Sequence, residues 1–301
     1  MSQARVTGAA ARWRAQVIAR ARQMDAAYAA LGRSSADYWE RRAARFHAAT
    51  RESGSRDPLF PRLLAAVRPD DRLLDVGAGS GRFALPLARH VREVIAVEPS
   101  AAMRRHLEME AASQGLTNLT IVPTRWEQAP PLTAEVVLCA HVLYPLPDIV
   151  PFLARLNAAA QRECFVYLRE RHLDELTSAA WERWHGEPRC LPPTGSDALA
   201  VLQEMGIAAE AERVEAPTSW RYASLAEAET EFLEHLLLPD TPAVRRELRR
   251  WLAGWLVPCE GGWAAPLPTV PALIIRWRPT GATRTEAPAP ATRGSRRAPN
   301  A

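Results

Sequence analysis

The sequence predicts an α/β fold built on a doubly wound, mostly parallel sheet. Three observations predict it. From Arg72 onward, short apolar runs alternate with helical patterns of about ten to fifteen residues, as βαβ units require. The runs are continuously hydrophobic, as strands covered on both faces are. The first run ends in closely spaced glycines that lead directly into a helix.

Three helical stretches precede that run: Ala9 to Leu31, Ser35 to Thr50, and Asp57 to Val67. In the second, Tyr38, Trp39, Arg42 and Phe46 recur near helical spacing, and Ser35 stands where an N-cap belongs. The strand-like runs are Arg72 to Val76, Glu93 to Val97, Leu119 to Val122, Glu135 to Ala140 and Cys164 to Leu168. Helical patterns at Arg82 to His90, Ala101 to Gln114 and Asp148 to Ala160 connect them. Beyond Leu168 the alternation loosens. Helices at Asp174 to Trp184 and Ser196 to Met205 lead to a β-like stretch, Glu210 to Tyr222. Helices at Leu225 to Leu238 and Ala243 to Leu256 precede a last β-like run, Ala272 to Trp277. The expected division is an N-terminal helical extension or lid (1–56), a main domain (57–278) with inserted helices at about 171–206 and 225–256, and a tail (279–301). The tail has almost nothing to bury and is expected to be disordered.

The chain has 38 basic and 34 acidic side chains among 301 residues, and with no lysine every basic residue is arginine. Five arginines and no acid fall within residues 1–24, and four arginines against one glutamate fall within 279–301, so the central body is mildly acidic. A folded surface that grips nucleic acid usually shows the reverse, which makes a nucleic-acid substrate unlikely. No run of eighteen apolar residues occurs, so no membrane-spanning helix is expected. The four cysteines (Cys139, Cys164, Cys190, Cys259) form neither a disulfide framework nor a zinc pattern. The basic N-terminus faintly resembles a transit peptide but reads more simply as an exposed helix, and a cytoplasmic location is expected.

The segment Leu73-Leu74-Asp75-Val76-Gly77-Ala78-Gly79-Ser80-Gly81-Arg82 sets strand, glycine turn and helix start in succession. Glycine serves where backbone turns sharply or approaches a ligand closely, and the helix start points free N–H groups over the loop. The spacing is G-x-G-x-G, not the dinucleotide G-x-G-x-x-G, with Arg82 where the third dinucleotide glycine would stand. Glu98 ends the second run 21 residues beyond Gly77 and suits a ribose diol, whichever ligand carries it.

This segment, followed by Val94-Ile95-Ala96-Val97-Glu98-Pro99-Ser100, resembles the first two motifs of a class I S-adenosylmethionine-dependent methyltransferase. The resemblance covers roughly residues 57 to 170 and implies a seven-stranded sheet with S-adenosyl-L-methionine as cofactor. It implies cofactor contacts from Asp75, Gly77, Gly79, Gly81 and Glu98, and places Ala140, at the end of the fourth strand, beside the methionine part. The family's adenine-facing Asp is missing from Val122-Pro123-Thr124-Arg125-Trp126-Glu127, where Trp126 is the candidate to pack on the ring. The base-amino motif N/D-P-P-Y/F is replaced by Ala140-His141-Val142-Leu143, which argues against a base-amino methyltransferase.

Methyl transfer needs alignment and exclusion of water, and a base only where the acceptor must lose a proton. His141 is the candidate base and Tyr144 the candidate orienting hydroxyl. Trp39 and Arg42 are expected at the cofactor, Arg42 on its carboxylate, with the Ser35 to Thr50 helix closing over it. The aromatic residues Trp181, Trp184, Trp220, Tyr222, Trp251, Trp255 and Trp263 read mostly as core between inserted helices, with one or two lining a pocket. The expected activity is methyl transfer to a small molecule. The alternatives are an RNA or protein methyltransferase and a non-catalytic cofactor-binding assembly or regulatory factor.

Overall fold

The computed structural model describes residues 8–50, 54–218 and 220–279. The expected disordered tail therefore lies, beyond Pro279, outside the described residues. Three helices come first: α1 (Ala9–Ala30), α2 (Tyr38–Thr50) and α3 (Phe60–Ala66). The alternating body follows as β1 (Arg72–Val76), α4 (Ala84–Ala88), β2 (Glu93–Val97), α5 (Ala101–Ser113), β3 (Leu119–Val122), β4 (Ala134–Ala140), α6 (Ile149–Ala159) and β5 (Ala160–Arg169). Then come α7 (Leu173–Leu176), α8 (Ser178–His185), α9 (Gly195–Glu204), β6 (Glu210–Pro217), β7 (Arg221–Tyr222), α10 (Leu225–His235) and α11 (Pro242–Trp255). The chain closes with β8 (Val257–Cys259), β9 (Gly262–Ala264) and β10 (Thr269–Trp277).

Seven strands form the main sheet in the order β3-β2-β1-β4-β5-β10-β6. The first five are parallel, and β10 runs antiparallel to both β5 and β6. The mostly parallel seven-stranded sheet is as the sequence predicts. One face packs on α1, α6 and α9 through Trp13, Val17, Phe152, Leu153, Val201 and Leu202. The other packs on α3 and α4 through Leu59, Leu63, Phe83 and Leu87. Chain order reverses between β1 and β4, and in open α/β sheets that switch point, at the carboxyl ends of the strands, is where ligands bind.

Several elements depart from expectation. Residues 1–56 read as an extension, yet Trp13 is 1% exposed and donates its indole N–H to the Leu146 carbonyl at 2.7 Å, so α1 completes a layer over the sheet. The stretch Glu210 to Tyr222 divides: β6 joins the main sheet, whereas β7 pairs with β9 in a separate three-stranded sheet. Pro217 has no N–H with which to continue the ladder. The hairpin β8–β9, turning at Gly261 and Gly262, is a pairing the sequence reading misses. The helix Asp174 to Trp184 breaks into α7 and α8 at Thr177. Trp220, Tyr222, Phe232, Trp251 and Trp255 cluster with Leu248 and Leu252 into a satellite core under α10 and α11. Cys139 and Cys164 are buried in the sheet. Among the described residues no helix is long and apolar enough to cross a membrane.

Candidate functional site

The glycine loop sits at the switch point. Gly77, Gly79 and Gly81 all adopt positive φ (76°, 57° and 91°), a region that strains residues with a Cβ. A Cβ at Gly77 would stand 2.3 Å from Val142 Cγ2, so the loop after β1 abuts the turn after β4. A Cβ at Gly79 would meet, among the described residues, only Phe46, whose ring atom lies 3.8 Å away. Glu98 accepts the N–H groups of Gly79 and Ser100, each at 2.8 Å, and is buried. Burial raises its pKa, against the pull of those two N–H groups. Asp75 is buried beside it. Desolvation first, and then the charge of Glu98, push it up to about 7, while the Ala84 N–H opposes the shift.

These groups fit an adenosyl cofactor. A buried carboxylate with oxygen lone pairs to spare suits ribose hydroxyls, and an open Gly79 lets a ligand lie against the loop backbone. The chemistry of the donor set thus agrees with what the family resemblance implies.

α2 crosses above this loop. Its Glu40 accepts the Ala102 N–H at the start of α5 at 3.2 Å, and Ala43 and Phe46 pack on Ala102 and Met103. His47 stacks on His106 with ring centroids 4.6 Å apart. Its other edge is tied to α10: Arg42 pairs with Glu231 at 2.6 Å, and Arg45 pairs with Glu227 and Glu231. Arg42, expected at the cofactor's carboxylate, is therefore held by Glu231 and lies over the Tyr38 ring. Trp39 is 43% exposed, its ring edge-on to Tyr38 and Phe46. Trp126, expected over adenine, is 3% exposed within the sheet-face core, with the Arg155 guanidinium 4.7 Å from its ring centroid. Its indole N–H is buried without a partner among the described residues.

The carboxyl end of β4 supplies the other half of the site. Ala140 is its last residue, pairing with Tyr167 of β5. His141 then takes φ +60°, a left-handed conformation rare outside glycine and a frequent mark of functional sites. Its Nδ1 lies 3.0 Å from the Tyr144 hydroxyl, and that hydroxyl accepts the Arg169 N–H at 2.8 Å. The Tyr144 oxygen thus has its own hydrogen to give, and Nδ1 is the acceptor in reach. By this accounting the remaining hydrogen of a neutral imidazole sits on Nε2. Burial first, and then the charges of Arg169, Arg82 and His172, hold the His141 pKa well below its usual value. Tyr144 is pushed up to about 12 by burial.

The structure sets the two candidates His141 and Tyr144 in contact and adds neighbours that sequence reasoning misses. Arg82 pairs with the buried Asp57, and Tyr167 and Arg169 extend from the end of β5. A charged residue closing an apolar strand at its carboxyl end is the signal that points to Arg169. A surface cleft of about 510 Å³ is lined by Glu229, Arg245, Arg246 and Arg249 of α10 and α11 and by none of these groups.

A family model described as a methyltransferase domain matches residues 38–210, more than half of the chain. Over 64 residues the chain is 50% identical to the 23S rRNA (uracil(1939)-C(5))-methyltransferase RlmD of Pseudomonas fluorescens, a stretch covering 21% of this chain and 13% of that protein. The RlmD of Xanthomonas euvesicatoria pv. vesicatoria is 47% identical over 55 residues, covering 18% of this chain and 12% of that protein. The chain thus spans about an eighth of the length of these curated relatives. Among solved structures, the YcgJ protein of Bacillus subtilis superposes with a TM-score of 0.50 at 15% identity, covering 73% of this chain and 97% of that one.

Proposed function

Because this chain belongs to the methyltransferase-domain family, with the class I fold and S-adenosylmethionine as cofactor, we propose that it is an enzyme transferring a methyl group to a small-molecule acceptor. When bound, S-adenosylmethionine supplies an electrophilic methyl on a sulfonium, which departs as a neutral thioether as the acceptor's lone pair forms the new bond. Gly77, Gly79 and Gly81 with Asp75 and Glu98 are the residues that hold it, and Ala140 lies at the methyl end.

The observation that carries the small-molecule reading is the roof. α2 lies over the glycine loop and is clasped to α10 by Arg42–Glu231 and Arg45–Glu227. A roofed site excludes water and strengthens electrostatics inside it, and it suits a compact acceptor over a polynucleotide. Under this roof Tyr144 orients His141, and His141 presents its Nε2–H to the acceptor. In this reading its role is that of a hydrogen-bond donor, with the Tyr144 hydroxyl at its Nδ1. Phe46 faces the glycine loop from the roof, with Trp39 edge-on behind it. A cytoplasmic location accords with the cysteines, which are free.

A second reading, methylation of RNA, is favoured by the short local identity with the rRNA uracil methyltransferases. Incubation of the protein with methyl-labelled S-adenosylmethionine and, separately, a metabolite extract, total RNA and total protein decides between them. Label in the small-molecule fraction supports the first reading. Label in RNA or protein alone overturns it, and cofactor binding without transfer to any fraction points to a non-catalytic factor.

A further inference from the structure

The carboxyl ends of β4 and β5 carry buried polar groups left unsatisfied among the described residues. Arg169 Nη1, His141 Nε2 and the Tyr167 hydroxyl are each shielded from solvent; among the described residues Arg169 Nη1 and His141 Nε2 lack a hydrogen-bond partner, and the Tyr167 hydroxyl faces the Asp57 carboxylate. Orphaned buried polar groups are uncommon in native proteins, and a shared neighbourhood of them needs a reason. The His141 and Tyr167 rings lie 4.7 Å apart, tilted across the β4–β5 pair. Arg169 follows Tyr167 by two residues and so shares its face of the strand, and its charge acts on His141, Tyr144 and Tyr167.

The charges here do not balance. Arg82 is matched by Asp57. Burial keeps His141 and His172 neutral and both tyrosines protonated. Glu170, the next residue along, faces Ser196 instead, accepting its N–H and its hydroxyl at 2.6 Å each. Arg169 enters no ion pair among the described residues. One positive charge and the His141 Nε2 remain without an acceptor among the described residues, while Asp57 serves both Arg82 and the Tyr167 hydroxyl.

We propose that Arg169 selects the methyl acceptor and that the acceptor is a carboxylic acid, its carboxylate held by the Arg169 guanidinium with His141 Nε2–H and the Tyr167 hydroxyl beside it. This rests on the methyltransferase reading above and names its substrate class. A carboxylate brings one negative charge over two oxygens, and a planar guanidinium is the group that matches it. The cofactor's own carboxylate is the other source of the same chemistry. However, β5 lies two strands from β1, roughly 10 Å from the glycine loop at the usual strand spacing, on the far side of His141. A polynucleotide would bring a row of phosphates to a place with one uncompensated cation.

The test uses the full chain saturated with S-adenosylhomocysteine and small probes that need no knowledge of the acceptor's scaffold. Acetate, acetamide and dimethyl phosphate are titrated at constant ionic strength while the histidine Nε2–H signals are followed by nitrogen-15 NMR, with His141→Gln assigning the His141 signal. Acetate is expected to shift that signal saturably and acetamide to leave it in place. In Arg169→Gln the acetate affinity is expected to fall at least tenfold, with Arg169→Lys recovering part of it and S-adenosylhomocysteine affinity unchanged by calorimetry. An equal response to acetamide, no response to acetate, or a stronger response to dimethyl phosphate overturns the proposal. So does loss of S-adenosylhomocysteine binding in a folded Arg169→Gln, which assigns Arg169 to the cofactor. If Arg169→Gln does not fold, the acetate–acetamide comparison in the unsubstituted protein and in Tyr167→Phe still decides. Failure of the unsubstituted protein to bind S-adenosylhomocysteine sinks the methyltransferase reading, and the acetate response is then read without it.

Discussion

Replacing Asp75 with asparagine separates what this carboxylate costs the fold from what it does for the ligand. Asp75 is buried at the end of β1, with its pKa pushed up from 3.8 to about 7 by desolvation and by Glu98. The folded protein therefore keeps a proton up to about pH 7 that the unfolded chain releases near pH 4. Between those values unfolding releases a proton, so stability falls as pH rises, by about 1.4 kcal/mol per unit. Across the window of roughly three units the penalty reaches about 4 kcal/mol, an upper figure, and above pH 7 it stays constant. Asparagine keeps the shape and an oxygen for the Ala84 N–H but does not titrate.

The stability difference between Asp75→Asn and the parent should thus be near zero around pH 4, grow through pH 5 and 6, and level off above pH 7 with the variant the more stable. Buried His141, His172 and His235, whose pKa values are depressed, act in the opposite sense. They contribute stability that is lost as pH falls below about 6.5. That loss is common to both proteins and cancels in the difference. Urea unfolding across the pH series measures it. A difference that is flat with pH, or a variant less stable than the parent at pH 8, would refute the reasoning. S-adenosylhomocysteine affinity should fall in the same variant, the trade of stability for function common at binding sites.

Three further outcomes follow from the geometry. Gly79→Val puts a β-branched residue at φ +57° in the space the ligand needs, and calorimetry should show S-adenosylhomocysteine affinity reduced at least tenfold; unchanged affinity removes the glycine loop from the site. Phe46→Ala, which opens the roof without touching its ion pairs, should weaken the same binding by about tenfold, or 1.4 kcal/mol, and no change means that α2 only packs on α5. Trp13→Ala should lower unfolding free energy by about 3–5 kcal/mol while cofactor affinity in the folded fraction is kept; a near-neutral effect would restore α1 to the status of a dispensable extension.

What the sequence discloses here is what is local in the chain. The glycine loop, Asp75 and Glu98 are legible because their strand, turn and helix start are consecutive, and Glu98 follows one helix later. His141 and Tyr144 are legible as neighbours because three residues separate them. Their chemistry is not, since it depends on the Arg169 N–H, 25 residues from Tyr144, which occupies one side of that hydroxyl. The partner of Arg42 is hidden for the same reason: Glu231 lies 189 residues away on α10, and no periodicity within α2 announces it.

Trp13 illustrates the complementary limit. α1 carries arginines around much of its circumference, so its pattern suggests a solvated helix. Burial of Trp13 and Val17 against α6 and α9 is decided by what those helices leave uncovered. The break in Glu210 to Tyr222 has a visible cause, Pro217, but proline in a β-like run signals only that pairing stops there. That the chain beyond it pairs with β9 depends on a hairpin, Val257 to Ala264, whose strands are three residues each and too short for alternation to register. The same logic explains why the proposed acceptor anchor was the least legible part of all. Arg169 is marked in the sequence only as a charge closing an apolar strand, one of 38 arginines; the pairing of Ala140 with Tyr167 sets it beside His141, and the absence of a carboxylate for it among the described residues is what supports the proposal.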